Sequence, residues 1–308
     1  MIRTAPLLLS VTLAAAQCPN VHIFGARETT VAPGYGSTIS VVDNIINAYP
    51  GATSEAINYP ACGGQASCGD VSYAQSAIEG VAAVASQEFI LLLRVNTFNS
   101  QCPNTILVLV GYSQGGQIMD DAYCGGGDTN EGLTSTAIPI STAAQAKIAA
   151  AIFMGDPRHI PGLSYNVGTC EADGFAPRPV GFVCPYGSNI QSYCDASDPY
   201  CCNGDDAATH EGYATEYGAV ALAFVEQKVN AKLGGSGTTT SSPSGPTQPS
   251  GGSVAEYGQC GGIGWSGGTV CQASTRLLGK TQPTDARIFL NPQSPFTCEV
   301  LNAYVSKC

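Results

Sequence analysis

Short apolar runs and longer amphipathic stretches alternate along the first two-thirds of the chain. The apolar runs predict β-strands near residues 21–24, 56–59, 105–110, 150–154 and 190–194. Apolar residues at helical spacing predict helices over 38–49, 72–86, 114–123 and 210–229, and another from 143 to 147. Strands that alternate with helices predict an α/β fold, in which helices cover both faces of a mainly parallel sheet.

The composition changes sharply at residues 234–253, which read GGSGTTTSSPSGPTQPSGGS. This segment has no aromatic, charged or large aliphatic residue, so it cannot bury enough surface to fold. We therefore expect a linker, suited to O-glycosylation, between a domain at 17–233 and a smaller unit at 254–308.

The N-terminal residues 1–16 have the pattern of a secretory signal peptide. Arg3 provides a positive start, and a short apolar run ends at Ala14-Ala15-Ala16. That run is shorter than a membrane span, and no later segment is long and apolar enough to be one. We expect a secreted protein whose mature chain begins near Gln17.

The charge balance excludes two classes of partner. The chain carries 12 lysines and arginines against 23 aspartates and glutamates, a net charge of −11. Binding to nucleic acid or to an anionic membrane needs clustered basic residues, and no such cluster is present. We therefore expect neither as a partner.

The cysteines indicate disulfides. Fourteen are present, ten from Cys18 to Cys202 and four from Cys260 to Cys308. Two even sets in a secreted chain predict two separately cross-linked units. A metal site is disfavoured because cysteine spacing does not follow a ligand motif and the three histidines are scattered.

The sequence Gly111-Tyr112-Ser113-Gln114-Gly115 follows a predicted buried strand and precedes a predicted helix. This is the context of a nucleophile elbow, where a sharp turn exposes a serine hydroxyl above the sheet. The helix N-terminus then directs backbone N–H groups at a developing oxyanion. Ser113 is the candidate nucleophile.

A serine nucleophile needs a base, and the chain has three histidines. His22 lies in the first predicted strand, where a packed imidazole is expected, and His159 is expected in a surface loop. His210 stands before the last helix and leaves room for an acid between itself and Ser113, the order of α/β-hydrolases. His210 is the candidate base.

The triad acid is less clearly defined by spacing. Asp156, Asp195, Asp198, Asp205 and Asp206 all precede His210. Asp198 is favoured because it follows a predicted strand within a cysteine-bracketed segment, with Asp195 as its nearest rival. Asp205 and Asp206 are expected in a solvated turn.

Six sequence blocks resemble the fungal acetyl xylan esterases of the cutinase-like family. They are VHIFGARETT (21–30), NYPACGGQ (58–65), GYSQGGQIMD (111–120), AAIFMGDP (150–157), YCDASDPYCCNG (193–204) and ATHEGY (208–213). The resemblance implies an α/β-hydrolase-like three-layer sandwich with five or six strands. It implies Ser113, Asp198 and His210 as the triad, which decides between Asp198 and Asp195.

The same resemblance implies an oxyanion hole and a disulfide pattern. Thr29 and the backbone N–H of Gln114 would bind the oxyanion. The implied bridges are Cys18–Cys102, Cys62–Cys68, Cys124–Cys184, Cys170–Cys202 and Cys194–Cys201.

The second unit resembles a fungal-type cellulose-binding module in EYGQCGGIGWSGGTVC (256–271) and TCEVLNAYVSKC (297–308). So small a β module depends on disulfides, and the resemblance implies Cys260–Cys298 and Cys271–Cys308. It also implies a flat cellulose-binding face with Tyr257 and Tyr304, to which Gln259 and Asn302 add hydrogen bonds, and places Trp265 at an aromatic position beside that face.

Three features depart from these families. Val305 stands where the binding module usually has a third aromatic, and about 20 residues at 275–295 interrupt the module. Residues 87–94, QEFILLLR, are a smaller insertion in the first domain. Both insertions are expected to be either real loops or errors of the gene model.

The sequence as a whole predicts a secreted, monomeric esterase that removes acetyl groups from xylan and binds cellulose. No metal or cofactor is expected. One alternative is a cutinase with the same triad and longer-chain polyester substrates. Another is a wall-binding protein on an inactive hydrolase scaffold, which the presence of all three triad candidates disfavours.

Overall fold

The computed structural model describes residues 17–85 and 94–234, and the backbone of five short strands between 253 and 307. Residues 1–238 and 239–308 form two separate compact units. The predicted signal peptide, most of the predicted linker, the insertion at 275–295, and all of the insertion at 87–94 except Arg94 lie outside the described residues.

The first unit is built on a six-stranded sheet in which every neighbouring pair is parallel. The strands are β1 Val21–Ala26, β2 Thr53–Ala56, β3 Ile106–Tyr112, β4 Ile148–Met154, β5 Asn166–Val167 and β6 Ile190–Tyr193. Their order in the sheet is β2-β1-β3-β4-β6-β5. The α/β prediction with a parallel central sheet is confirmed.

Helices cover both faces of this sheet. They are α1 Ile39–Ala48, α2 Tyr73–Ala85, α3 Val95–Gln101, α4 Gln114–Cys124, α5 Thr142–Gln145, α6 Ala207–Glu216 and α7 Gly218–Gly234. Alternate residues of β3 point to opposite faces, so Leu107 and Leu109 pack with α2, α3 and α4. Val108 and Val110 pack instead with α1 and α7. The two cores make the predicted three-layer sandwich.

The structure corrects two element predictions and adds two elements. The helix expected over 210–229 is two helices, α6 and α7, which meet at Tyr217 before Gly218. The strand expected at 56–59 lies at Thr53–Ala56, because a half-exposed edge strand lacks the apolar run that marks a buried one. The helix α3 and the two-residue strand β5 were not predicted.

Five disulfides cross-link the first unit, and no cysteine described there is free. Two of them close the segment that carries Asp198, so a short loop is fixed at both ends. The pairs are those that the family resemblance implies: Cys18–Cys102, Cys62–Cys68, Cys124–Cys184, Cys170–Cys202 and Cys194–Cys201.

The second unit contains short strands only. An antiparallel sheet has the order β10-β11-β8, and β7 pairs with β9 in parallel. The bounds are β7 Ser253–Val254, β8 Gln259–Gly261, β9 Val270–Cys271, β10 Glu299–Asn302 and β11 Val305–Lys307.

Only two of the residues predicted for cellulose binding lie in the described part of the second unit. Gln259 and Asn302 lie in strands β8 and β10, with their side chains undescribed. Tyr257, Trp265 and Tyr304 lie outside the described residues, as do Cys298 and Cys308 of the two implied bridges. In the part of the chain that is described, no helix has the length and apolar character of a membrane span.

Candidate active site

Ser113 sits at the sharp turn between β3 and α4. Its backbone adopts φ 54° and ψ −123°, a strained conformation for a residue with a side chain. The turn is possible because its flanking glycines lack a Cβ. A Cβ on Gly111 would lie 2.4 Å from the carbonyl oxygen of Gly115, and one on Gly115 would lie 2.1 Å from that of Ala26.

His210 is brought to the same edge of the sheet through β4. Tyr112 and Met154 pair as the last residues of β3 and β4, and the N–H of Ser113 donates to the carbonyl of Met154 at 2.8 Å. The next residue, Gly155, has φ +63° and lies so close to the imidazole that a Cβ would be 2.6 Å from Cε1 of His210. Strand pairing therefore gathers Ser113 and His210 at the carboxyl ends of neighbouring strands.

Asp198 holds the imidazole from its other side. Oδ2 of Asp198 lies 2.7 Å from Nδ1 of His210, and the Asp198 side chain is fully buried. The backbone of His210 is fixed separately, because the hydroxyl of Tyr112 donates to its carbonyl at 2.6 Å. His210 is thus held both through its imidazole ring and through its main-chain carbonyl.

The carboxylate of Asp198 has three more donors. The N–H groups of Tyr200 and Cys201 donate to Oδ1 at 2.6 and 3.1 Å, and the hydroxyl of Tyr213 donates to Oδ2 at 2.8 Å. Burial raises the pKa of Asp198, but the hydrogen bonds and the charge of His210 outweigh it and leave the pKa below its ordinary value. An ionised Asp198 accepts a hydrogen bond from the N–H at Nδ1, which leaves Nε2 of His210 free to act as a base.

The rival acids have other partners. Asp195 accepts from Thr169 at 2.9 Å and from the hydroxyl of Tyr217. Asp206 caps the N-terminus of α6 by accepting from the N–H of Ala208. Asp205 and Asp206 are exposed, as expected of turn residues.

The other two histidines are both buried. His22 is packed as predicted: Nδ1 lies 2.6 Å from Oγ1 of Thr53, and the ring stacks on Phe98. The surface-loop prediction for His159 is wrong, since 3% of this residue is exposed. The segment after Cys170 covers it, with the N–H of Gly174 donating to the His159 carbonyl at 3.0 Å.

A ring nitrogen of His159 and the Sγ atoms of Cys170 and Cys194 lie within 4.8 Å of one another. Among the described residues, these three side chains form the group that is close enough together to hold a metal ion. Both sulfurs belong to disulfides, so neither is available as a thiolate ligand.

The loop after β1, which carries Thr29, begins against the N-terminal residues of α4. The close approach of Gly115 to Ala26 and Arg27 brings the two segments into contact. Arg27 is buried and donates to the carbonyls of Val31 at 2.9 Å and Tyr59 at 2.7 Å, which fixes the loop from within.

Gln114 is held by its own side chain. Its Oε1 accepts from Ser76 at 2.9 Å, and its Nε2 donates to the carbonyl of Cys62 at 3.2 Å. The backbone N–H of Gln114 is at the first position of α4, where no partner exists within the helix. The backbone N–H of Gln114 therefore lies next to Ser113 as a donor for an oxyanion, and the role of Thr29 as the second donor stays a prediction.

A buried ionic network supports α4 and was not predicted. Arg158 contacts Asp121 at 3.1 Å and Asp128 at 2.8 Å, and Arg178 contacts Asp120 at 2.9 Å and Asp121 at 3.2 Å. Burial raises the pKa of Asp121, against the opposing charges of both arginines. The signal in the sequence was the pair of acids at 120–121 in the predicted helix that follows the serine turn.

This network also includes Asp156, which was weighed above as a triad acid. Oδ1 of Asp156 accepts from the N–H of Arg158 at 2.9 Å. Burial and the charge of Asp120 raise the pKa of Asp156 to about 8. Asp156 thus contacts Arg158 of the ionic network, whereas Asp198 contacts His210.

An open parallel sheet with a strand–serine–helix turn and an Asp–His pair at its carboxyl edge defines an α/β protein of the nucleophile-elbow class. Family models make the assignment specific: the cutinase model matches residues 17–229 and the fungal cellulose-binding domain model matches residues 256–276. The chain belongs to the cutinase family.

Individual relatives are similar over most of their length. The chain is 50% identical to an acetylxylan esterase of Hypocrea jecorina, covering 96% of this chain and 91% of that protein. It is 54% identical to cutinase 11 of Verticillium dahliae, covering 89% of this chain and 96% of that protein. A solved acetylxylan esterase structure is 62% identical with a TM-score of 0.66, covering 69% of this chain and all of the other.

Proposed function

We propose that the protein is an acetylxylan esterase, a carboxylic ester hydrolase that removes acetyl groups from xylan. Its similarity to acetylxylan esterases reaches 50% over nearly the whole chain and 62% over the first unit. The observation that carries the proposal is the Asp198–His210 contact of 2.7 Å beside the Ser113 elbow.

The first half of the reaction transfers the acetyl group to Ser113. Nε2 of His210 takes the hydroxyl proton as Oγ of Ser113 attacks the ester carbonyl, and Asp198 stabilises the imidazolium. The negative charge that forms on the carbonyl oxygen is stabilised by the hydroxyl of Thr29 and the N–H of Gln114. His210 then gives its proton to the departing sugar hydroxyl.

The second half releases acetate. His210 removes a proton from a water molecule, whose oxygen attacks the acetyl-serine ester, and the same donors stabilise the second oxyanion. Ser113 leaves with the proton from His210, so the enzyme returns to its starting state. Every proton passes through a single imidazole, which explains why its ring is fixed from two sides.

A cutinase acting on longer-chain polyesters is the second candidate, favoured by the similarity to cutinase 11. The cellulose-binding match at residues 256–276 favours a polysaccharide substrate instead. Rates on 4-nitrophenyl esters of increasing acyl length distinguish the two. An acetylxylan esterase hydrolyses acetate and propionate fastest, whereas a maximum at hexanoate or longer chains contradicts the proposal.

The proposal includes secretion and a cellulose tether. A signal peptide at 1–16 and a linker at 234–253 are supported by the five disulfides and by the cellulose-binding match. In this view the protein works as a monomer, with the triad unit tethered to the fibre by the second unit. Adsorption to microcrystalline cellulose tests the tether: full-length protein is retained, and a chain ending at residue 234 remains in solution.

A further inference from the structure

Two aromatic side chains are among the large apolar residues that the described part of the chain leaves exposed. Phe175 is 48% exposed and Tyr200 is 42% exposed. Their backbones are joined, because the N–H of Phe175 donates to the carbonyl of Tyr200 at 3.0 Å. The two exposed rings therefore belong to one local surface.

This surface borders the candidate active site on both sides. The ring of Tyr200 lies 4.5 Å from the imidazole of His210, centroid to centroid. The ring of Phe175 contacts Tyr73 edge-on at 5.3 Å, and the carbonyl of Tyr73 accepts from Nε2 of Gln114 at 3.4 Å. Phe175 thus contacts both Tyr200, which lies beside His210, and Tyr73, which is hydrogen-bonded to Gln114.

The backbone that presents Phe175 is held firmly. On either side of it, Gly174 donates to the carbonyl of His159 at 3.0 Å and Ala176 donates to that of Pro157 at 3.2 Å. A Cβ on Gly174 would lie 2.3 Å from the Pro157 oxygen, so the segment follows its neighbour closely. The backbone that carries this ring is therefore already ordered before a ligand packs on it, so binding costs no ordering of the segment.

We propose that Phe175 is a stacking surface for a pyranose ring of the polysaccharide, next to the sugar whose acetyl group reaches Ser113. The proposal rests on the proposed function. A sugar ring is flat and presents C–H groups on its faces while its hydroxyls remain in water, so a single half-exposed aromatic ring matches it.

The test compares two substrates on the full-length protein: soluble acetylated xylo-oligosaccharides and 4-nitrophenyl acetate. The measured quantity is the ratio of kcat/KM for the oligosaccharide to kcat/KM for the small ester. We expect Phe175→Leu, which keeps an apolar side chain without a ring, to lower this ratio about tenfold, mostly through KM. Phe175→Tyr keeps the ring and retains the ratio within about twofold.

Val183→Ala is the matched control, because Val183 is apolar, 69% exposed and has no aromatic ring. It leaves the ratio unchanged. A wild-type ratio in Phe175→Leu overturns the stacking proposal and leaves the esterase assignment intact. So does a loss confined to 4-nitrophenyl esters of longer acyl chains, which would assign Phe175 to the acyl group. A wild-type protein that releases no acetate from the oligosaccharides overturns the function together with the inference.

Discussion

The hydroxyl of Tyr213 donates to Oδ2 of Asp198 at 2.8 Å, on the oxygen that also contacts His210. The same hydroxyl accepts from the N–H of Asp195 at 2.8 Å, so it is fixed in direction. Tyr213 is completely buried in α6, one helical turn after His210. One helix thus carries both the base and a donor that orients the acid.

Tyr213→Phe removes that donor with little change in shape. We expect kcat to fall about tenfold, since a hydrogen bond to a charged group contributes roughly 1.5–3 kcal/mol. We also expect the acidic limb of the kcat/KM profile to move to higher pH, because Asp198 keeps more negative charge to stabilise the imidazolium. The pH dependence of 4-nitrophenyl acetate hydrolysis measures both effects.

Tyr217→Phe is the control for that experiment, because its hydroxyl contacts Asp195 at 3.0 Å and not Asp198. It should leave the pH profile in place. Equal shifts in the two variants would show that Tyr213 has a structural role only.

Gly155→Ala tests the packing between β4 and His210. The new Cβ would lie 2.6 Å from Cε1 of His210, so the imidazole must move. We expect kcat/KM to fall about a hundredfold, since a misplacement of about 1 Å in a catalytic group has effects of this size.

Gly162→Ala provides the matched comparison. Gly162 has φ +82°, similar to the +63° of Gly155, but a Cβ there meets no atom within 4 Å. Both variants bear the backbone strain, so Gly162→Ala measures the effect of that strain without the contact to His210. Comparable activity in both would contradict the proposed placement of His210.

His22 predicts a pH dependence of stability. Burial lowers its pKa from 6.5 to about 4, so the folded protein holds this imidazole neutral where the unfolded chain protonates it. The unfolded state then binds more protons, and the His22 contribution is complete above pH 6.5 and is lost as the pH falls toward 4.

His22→Asn isolates this contribution. Its free energy of unfolding should lie below that of the wild type at neutral pH. The gap should narrow by up to about 3 kcal/mol as the pH falls through this range. Urea denaturation at several pH values measures the gap, and a constant gap would show that His22 does not titrate between the two states.

The sequence predicted the parts of the site that depend on the order of residues and elements along the chain. Ser113 lies between an apolar run and a helix, and His210 is the histidine that follows it at a suitable distance. The choice between Asp195 and Asp198 depended on family resemblance, because the two are three residues apart in one loop. Their side chains meet different partners in the fold: Asp198 contacts His210 at 2.7 Å, whereas Asp195 accepts from the hydroxyl of Tyr217 at 3.0 Å.

Other features depend on contacts between distant segments and leave no local pattern. His159 looks like a loop residue because the segment that covers it comes 15 residues later, at Gly174. The break between α6 and α7 at Tyr217 interrupts a stretch whose spacing suits one continuous helix. Gly155 precedes a loop in the sequence, and its contact with His210 appears only once β4 and α6 are packed together.

The most direct test of the account is acetate release from acetylated xylan by the wild type and by Ser113→Ala. Ser100→Ala serves as the control, because Ser100 is an exposed serine in α3. We expect the wild type and Ser100→Ala to release acetate at equal rates, with Ser113→Ala slower by at least about a thousandfold. Acetate release by Ser113→Ala at a rate near that of the wild type would contradict the assignment of Ser113 as the nucleophile.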